Sequence, residues 1–375
     1  MPEINIIRRT SMLKLEKRQE ISHAWSYGSP LLATVLTLIT GFFLFFTLGD
    51  NPFIALYTFF IAPLSDSYGI AELFIKTTPI LLCAYGLALC YKASVWNIGA
   101  EGQLLIGSMT ASIMALTFIE SDSSWAIPLS LFAGMVGGML FAGIAALLKY
   151  RFNSNEILTT IMLNYIALNL LQWSVYGPLR DPNGFNFPES ALFGESTVLP
   201  IIWEGTRLHA GVLLMPIILT LTWFLLSKSF LGFQIKTLGT NKSAAHMAGF
   251  NEKKIGILVL LISGGLAGLA GAIEVTGPIG QLIPHVSPGY GFAAIIVAFL
   301  GRLHPVGITL AGLLMGVIYL GGELVQMNLG MPKSITGIFQ GLLLFYLLAC
   351  DVFIRFRLAH EPGGLIKLKK TKRVY

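Results

Sequence analysis

Charged residues are scarce in this chain of 375 residues, and so are thiols. Asp, Glu, Lys and Arg together make up only 12% of the sequence, whereas apolar residues make up 54% and the mean hydropathy is +0.73. No stretch is polar enough to form an ordinary soluble domain, which excludes a multidomain soluble protein. The composition, with its 40 glycines, is instead typical of a helical integral membrane protein.

Residues that catalyse reactions or bind metals are also few. The three cysteines have apolar neighbours and the six histidines are scattered, so we expect neither a disulfide framework nor a metal site. The zinc motif HExxH and the nucleotide-binding motif GxxxxGK[ST] are both absent from the sequence. We therefore predict that the chain is not an enzyme, that it binds no cofactor, and that it hydrolyses no nucleotide by itself.

Ten apolar segments approach the length of about 20 residues that a helix needs to cross a bilayer. They cover residues 29–48, 77–91, 100–119, 126–148, 157–176, 210–227, 255–275, 289–301, 305–322 and 334–354. Pro79 interrupts the short second segment, and Pro288 with Gly289 opens the short eighth, so we predict broken or re-entrant helices at both places. The predicted fold class is an all-α integral membrane protein.

The distribution of positive charge predicts the orientation. With the N-terminus in the cytoplasm, all but four of the 25 lysines and arginines fall on the cytoplasmic side. The four exceptions are Lys76, Arg180, Arg207 and Lys333. This positive-inside bias predicts that the N-terminal segment 1–28 and the basic tail 355–375 are both cytoplasmic. The net charge of +6 then reflects topology and attraction to membrane lipid, and we expect no nucleic-acid partner.

Small residues recur at intervals of four in three of the apolar segments. They are Gly134, Gly138 and Ala142, then Gly264, Gly268 and Ala272, then Gly312 and Gly316. Small residues at this spacing let two helix backbones approach closely. We therefore predict tight helix packing at these places, with flexible hinges as the alternative.

One acid without a nearby base lies between two apolar segments, in KASVWNIGAEGQLLIG at 92–107. A carboxylate near the membrane midplane costs roughly 2.5–3.5 kcal/mol on insertion scales, so a function is the default explanation for Glu101. Asn97 lies four residues before Glu101, and the two side chains share a face if this stretch is helical. Both residues, together with Gln103, are candidates for a solute path.

Other polar residues lie within or beside the apolar segments. Tyr165, Asn169, Gln172 and Tyr176 share one face of the fifth segment, whereas Gln281, Tyr290 and Phe292 surround the eighth. The complete set of predicted path residues is Asn97, Glu101, Gln103, Asn164, Tyr165, Asn169, Gln172, Glu274, Gln281 and Tyr290. Such a path suits a neutral, hydroxylated or aromatic solute better than an ion, because no ring of acids is present. Hydrogen bonding between helices is the alternative role for each residue.

Two polar segments separate the apolar ones. The predicted external loop at 177–209 carries four acids and several prolines and glycines, and it either docks an external protein or is a passive loop. The predicted cytoplasmic loop at 228–254 holds five lysines and a short helical AAHMA core between Gly239 and Gly249. Such a short helix is a suitable contact for a partner subunit that supplies the energy for transport.

Four runs carry a resemblance to a known family. They are VWNIGAEGQLLIG at 95–107, NEILTTIMLNYIA at 155–167, KTLGTNKSAAHMAGFN at 236–251 and SPGYGFAAIIVAFLGRLHP at 287–305. Together they resemble the permease subunits of bacterial ABC importers, in the branched-chain amino acid, ribose and simple-sugar permease superfamily. Within it the chain is most similar to the nucleoside branch.

The resemblance implies a type II import fold, with about ten transmembrane helices in two inverted-repeat-like halves within residues 29–354. It implies two cytoplasmic ATPase subunits that use ATP, a second permease chain and an external substrate-binding lipoprotein, all at the bacterial inner membrane. It also implies that the 228–254 loop couples ATP hydrolysis to transport. The residues implied in coupling are Gly239, Asn241, Ser243, Ala244, Ala245, Ala248 and Gly249.

The resemblance implies a nucleoside as the solute, with a simple sugar second and a branched-chain amino acid third. A different class of protein is a secondary transporter driven by protons or sodium, with Glu101 and Glu274 as its titrating groups. An intramembrane enzyme is disfavoured, because no nucleophile with a base and no cluster of metal ligands can be assembled from the sequence.

Overall fold

The computed structural model describes residues 7–8, 12–17, 23–361 and 365–366. Most of these residues are helical. The helices are α1 (His23–Thr47), α2 (Pro52–Phe60), α3 (Ser67–Lys92), α4 (Ala100–Thr117), α5 (Ala126–Phe152), α6 (Glu156–Tyr176), α7 (Leu214–Lys228), α8 (Phe230–Thr240), α9 (Lys242–Met247), α10 (Glu252–Glu274), α11 (Tyr290–Leu300), α12 (Pro305–Leu329) and α13 (Ser334–Arg355). A π-helical turn, Val275–Ile279, extends α10.

The chain divides into two compact units, residues 45–340 and residues 1–44 with 341–375. In the second of these, β1 (Ile7–Arg8) pairs with β4 (Leu365–Ile366), and β2 (Met12–Lys17) pairs with β3 (Phe356–Glu361), both antiparallel. The all-α prediction omitted these short strands, although MLKLEK alternates apolar and charged residues as a strand does. Much of the predicted N-terminal segment 1–28 and of the basic tail 355–375 lies outside the described residues.

Hydrogen bonds also join the first and last long helices within this unit. The Ser29 hydroxyl donates to the Asp351 carboxylate at 2.8 Å, and the hydroxyls of Thr40 and Tyr346 lie 2.7 Å apart. Polar side chains in apolar helices bind to neighbouring helices because lipid offers them no hydrogen-bond partner. The two pairs therefore hold α1 against α13 where both belong to this unit.

Each of the ten predicted apolar segments coincides with a helix. Among the described residues, seven helices are long and apolar enough to cross a membrane: Gly28–Thr47, Ser67–Lys92, Ala126–Phe152, Ala210–Lys228, Glu252–Ile279, Pro305–Leu329 and Ser334–Ile354. The prediction of a helical membrane protein is therefore confirmed. The pairing of two inverted halves stays a prediction.

The prediction of a broken or re-entrant helix at 77–91 is wrong. These residues belong to α3, which runs unbroken through Pro79 over 26 residues. Proline removes one intrahelical hydrogen bond, but every residue from Thr77 to Tyr91 is buried, so packing on all sides holds the helix together. The eighth segment does form a short helix, because α11 has 11 residues and spans only about 16 Å at 1.5 Å per residue.

Glycines hold α4, α5 and α10 in close contact. A side chain at Gly107 of α4 would overlap the backbone of Gly268 in α10, and one at Gly138 of α5 would overlap Gly264. Likewise, Gly312 of α12 lies against Leu81 of α3. The prediction of close packing at the small-residue repeats is confirmed.

Candidate functional site

A cavity of about 450 Å³ lies where the start of α4, the middle of α6 and the chain before α11 meet. Its volume is within the range of sites that hold small molecules, roughly 300–1,000 Å³. The residues that line it are Ile98, Glu101, Leu105, Ile161, Asn164, Tyr165, Leu168, Pro284, His285, Ser287, Gly289 and Phe292. Most of these side chains are apolar or aromatic, and a few polar groups converge among them.

Glu101 is the buried acid of this cavity, with only 7% of its surface exposed. It lies in the first turn of α4, and its Oε2 accepts a hydrogen bond of 2.7 Å from the Gly291 amide in the first turn of α11. The Ser287 hydroxyl and the Phe292 amide also hydrogen-bond to the carboxylate. The acid therefore lies at two helix N-termini, whose partial positive charges favour an anion.

Asn164 of α6 joins the cavity wall to the start of α4. Its Oδ1 accepts from the Gly102 amide at 2.8 Å, and its Nδ2 donates to the Ile98 carbonyl at 2.9 Å. A side chain at Gly102 would approach the Asn164 amide oxygen to 2.9 Å, so this contact requires glycine. The predicted path residues Glu101, Asn164 and Tyr165 are therefore brought together.

Asn97 and Gln103 lie behind the cavity and do not line it. Asn97 precedes α4, which begins at Ala100, so the helical face predicted for Asn97 and Glu101 does not exist. The Asn97 side chain is fully buried and hydrogen-bonds to Gln103 and to Ser263 of α10, both at 3.1 Å. Its oxygen also accepts from the Gly99 amide at 2.9 Å.

The polar stripe predicted on α6 continues away from the cavity. Tyr165 and Tyr176 are exposed on the surface of the unit, Asn169 is exposed, and Gln172 is half-buried. The Asn169 amide donates only to the Tyr165 carbonyl of its own helix, at 2.8 Å. The exposed polar groups of α6 are therefore available to a neighbouring molecule.

The remaining predicted path residues lie elsewhere. Tyr290 is 1% exposed and meets the Tyr319 ring edge to face at 5.4 Å. Gln281 donates to the Glu189 carboxylate at 2.9 Å. Glu274, at the end of α10, is buried. It interacts electrostatically with the charged side chains of two nearby ion pairs. None of these three residues lines the cavity.

The two ion pairs were missed in the sequence. Arg207 binds Glu72 of α3 through two hydrogen bonds of 2.7 and 2.8 Å, and Lys76 of α3 binds Glu323 of α12 at 2.8 Å. Glu72 and Lys76 both lie just before the predicted second apolar segment, which begins at residue 77. The local sequence holds no signal for either pair, because Arg207 lies 135 residues from Glu72 and Glu323 lies 247 residues from Lys76.

The 177–209 segment is bound to the turn that follows α10. Backbone amides of Ser190, Phe193 and Leu199 donate to the carbonyls of Leu282, Gly280 and Thr276 at 2.8–2.9 Å. The turn leads directly to the cavity-lining residues at 284–292. The segment is therefore an ordered part of the unit, fixed against one wall of the cavity.

The 228–254 segment contains α8 and α9. Asn241 caps α9, because its side chain accepts from the amides of Ser243 and Ala244 at 3.0 and 3.2 Å. Ala245 lies on the buried side of α9. The other predicted coupling residues of this region are exposed: Asn241, Ser243, Ala244, Ala248 and Gly249. Met247 is 90% exposed beside them, and Gly249 has a φ of +77°, which favours glycine.

Comparison with known proteins gives one consistent family. The family described as branched-chain amino acid transport system / permease component matches residues 69–348. The glucose ABC transporter permease protein TsgB13 of Haloferax volcanii is 32% identical over 92% of this chain and 93% of its own length.

Other relatives carry nucleoside names. The guanosine ABC transporter permease protein NupP of Bacillus subtilis is 31% identical over 87% of this chain and 94% of its own length. The nucleoside ABC transporter permease protein NupB of Lactococcus lactis is 29% identical over 85% of this chain and 89% of its own length. With a match that spans most of the bundle, this chain belongs to the branched-chain amino acid transport system permease family and is a membrane-spanning permease component of an ABC transporter.

Proposed function

We propose that this permease forms part of the import path for nucleosides. The observation that carries the proposal is the cavity, which is lined by a buried carboxylate, Glu101, by the side-chain amide of Asn164 and by two exposed aromatic side chains. Tyr165 and Phe292 supply the rings, which are 61% and 47% exposed. Stacking of an aromatic side chain on a nucleobase contributes about 1–3 kcal/mol per base in proteins that bind single-stranded nucleic acids.

The polar groups of the cavity suit ribose hydroxyls. Asn164 uses one lone pair and one amide hydrogen in its bonds to the backbone, so a second acceptor site and a second donor remain. The Glu101 carboxylate accepts several hydrogen bonds and is therefore not free to hold a cation. These groups favour a neutral, hydroxylated solute.

The surfaces of the chain support the proposed partners. The uncovered polar stripe of α6 fits a second permease chain, which would close the path from the other side. The exposed residues around α9 fit a pair of ATPase subunits that use ATP, and the 177–209 segment fits an external substrate-binding lipoprotein. The proposed location is the bacterial cytoplasmic membrane, with both termini on the cytoplasmic side.

A simple sugar is the second candidate solute. The observation that favours it is the glucose-named relative, which covers 92% of this chain. A branched-chain amino acid is less well supported, because Glu101 has no basic residue among the lining of the cavity apart from His285. Membership of the ABC permease family also gives no support to transport driven by an ion gradient.

Competition uptake tests the proposal. Cells that express the full complex take up labelled uridine or adenosine, with excess unlabelled nucleoside, ribose or leucine as the competitor. We expect only nucleosides to compete, and we expect ATP depletion to abolish uptake while a protonophore does not. If ribose abolishes uptake and unlabelled nucleosides do not, the sugar takes the place of the nucleoside.

Variants of α6 connect the result to the cavity. Tyr165→Ala removes one aromatic wall, whereas Trp173→Ala removes an equally exposed ring of the same helix that does not line the cavity. We expect the first variant to reduce nucleoside uptake about tenfold, which corresponds to 1.4 kcal/mol of lost stacking, and the second to leave it unchanged. Equal uptake in the two variants would remove Tyr165 from the path.

A further inference from the structure

We infer that the loop at 93–99 carries movement from the 228–254 segment to the cavity, with Gly239 and Ser94 as positioning residues at its entrance. This inference rests on the proposed function, because it assigns the route by which partner ATPases act on the import path. The loop connects α3 to α4, and it contacts α8 at one end and the cavity at the other.

At its entrance, the loop is in direct contact with α8. A side chain at Gly239 would overlap the Lys92 carbonyl at the end of α3, so the two backbones touch. The Ser94 hydroxyl donates to the Gly239 carbonyl at 3.1 Å. Ser94 has a φ of +55°, a conformation that serine adopts only when its surroundings require it. Movement of α8 therefore presses directly on the first residues of the loop.

Along its length, the loop is held as one piece. The Val95 amide donates to the Cys90 carbonyl, and the Tyr91 hydroxyl donates to the Asn97 carbonyl, both at 2.9 Å. The Asn97 side chain then ties the loop to Gln103 in the second turn of α4 at 3.1 Å. Because these bonds are buried, breaking any of them without a replacement is costly. A push at Ser94 therefore moves the start of α4 instead of being absorbed by the loop.

At its exit, the loop forms part of the cavity wall. Ile98 lines the cavity, its amide donates to the Thr160 hydroxyl at 3.2 Å, and its carbonyl accepts from Asn164. Glu101 follows within the first turn of α4 and reaches α11 through Gly291. A shift of the loop thus changes the positions of two cavity-lining residues relative to α6 and α11.

The experiment uses the full complex in proteoliposomes. Gly239→Ala adds a methyl group at the contact between α8 and α3, whereas Thr240→Ala changes the next residue of α8, which is exposed. We expect Gly239→Ala to assemble and to keep its basal ATP hydrolysis, but to lose at least tenfold in solute imported per ATP. We expect Thr240→Ala to match the wild type.

A second measurement follows the cavity itself. Ile98→Cys places a reactive thiol in the lining, while the chain's own three cysteines are buried. We expect ATP with vanadate to change the labelling rate of this thiol when Gly239 is present, and to change it much less in the Gly239→Ala background. This measurement needs no solute. The inference about the loop can therefore fail while the proposal of nucleoside import stands, and the proposal of nucleoside import can fail while the inference stands.

Two results overturn the inference. One is an ATP-dependent change at Ile98→Cys that is equal in the two backgrounds, because movement would then reach the cavity without the contact at Gly239. The other is measured in Ser94→Ala, which takes the place of Gly239→Ala if that variant fails to assemble. Ser94→Ala removes only the 3.1 Å hydrogen bond to Gly239, and we expect it to lower import per ATP two- to fivefold. Wild-type import per ATP in Ser94→Ala would then reject the loop as the route.

Discussion

Replacing Glu101 by glutamine separates the charge of this side chain from its shape. A glutamine oxygen can still accept from the Gly291 amide, which lies 2.7 Å from the carboxylate. The glutamine amide cannot donate to Ser287, because the Ser287 oxygen already accepts from the Gly289 and Tyr290 amides. We therefore expect Glu101→Gln to fold, to insert into the membrane and to assemble. The change removes the charge and weakens the hydrogen bonds that the carboxylate accepts.

The magnitude follows from the contacts of the carboxylate. A hydrogen bond to a charged group is worth about 1.5–3 kcal/mol and one between neutral groups about 0.5–1.5 kcal/mol, so the exchange costs about 1 kcal/mol. Loss of a negative charge at the N-terminus of α11 adds about 0.3–1 kcal/mol. The total of about 1–2 kcal/mol is the expected loss in the free energy of unfolding. If the charge also acts on the path, a loss of the same size at the transport step corresponds to roughly a 5- to 30-fold loss of uptake.

The assay is uptake of labelled nucleoside together with thermal unfolding of the purified complex. Glu101→Ala removes the acceptor as well and leaves the Gly291 and Phe292 amides without this partner, so it should be less stable than Glu101→Gln. Glu120→Gln, at an exposed position, is the control for loss of one charge. Wild-type uptake in Glu101→Gln would refute a functional charge and leave Glu101 a cap of α11.

Three further perturbations test other parts of the structure. Ala245→Asp buries a carboxylate beneath α9, and Gly249→Val puts a branched residue at a φ of +77°; each should lower uptake per ATP without preventing insertion, and unchanged transport in both would remove this segment from coupling. Arg207→Ala leaves Glu72, which is 4% exposed, without its bidentate partner and should lower the free energy of unfolding by about 2–4 kcal/mol, most of which the double variant with Glu72→Gln should recover. Burial lowers the pKa of His209 from 6.5 to about 4, so the unfolded chain binds the proton first and stability should fall by up to about 3 kcal/mol as the pH drops from 6.5 to 4; an unchanged pH profile of thermal unfolding in His209→Asn would contradict this.

Hydropathy alone located the helical bundle. All ten apolar segments became helices, and the small-residue repeats correctly indicated which surfaces pack closely. The error at 77–91 came from reading Pro79 as an interruption. A proline weakens a helix locally, but burial of every residue around it outweighs one lost hydrogen bond, and burial is a property of the assembled helices rather than of the segment.

The site was predictable in part. Glu101, Asn164 and Tyr165 do meet in one cavity, because an acid and an amide in apolar segments need partners and find them at helix ends. His285 was missed because it lies in a loop with no periodic pattern. Gln281 and Tyr290 stay predicted path residues, but neither lines this cavity: Gln281 donates to Glu189, and the Tyr290 ring contacts Tyr319.

The glycine contacts among α4, α5 and α10 have a consequence for how the bundle moves. Where two backbones touch, as at Gly107 with Gly268 and at Gly138 with Gly264, no layer of side chains is present that could slide or change rotamer. Relative displacement of these helices would require them to separate first. We therefore expect any rearrangement of the bundle to leave this trio unchanged as one rigid body. The helices that can move are those around it, where α6 and α11 meet the start of α4 through side chains that can exchange partners.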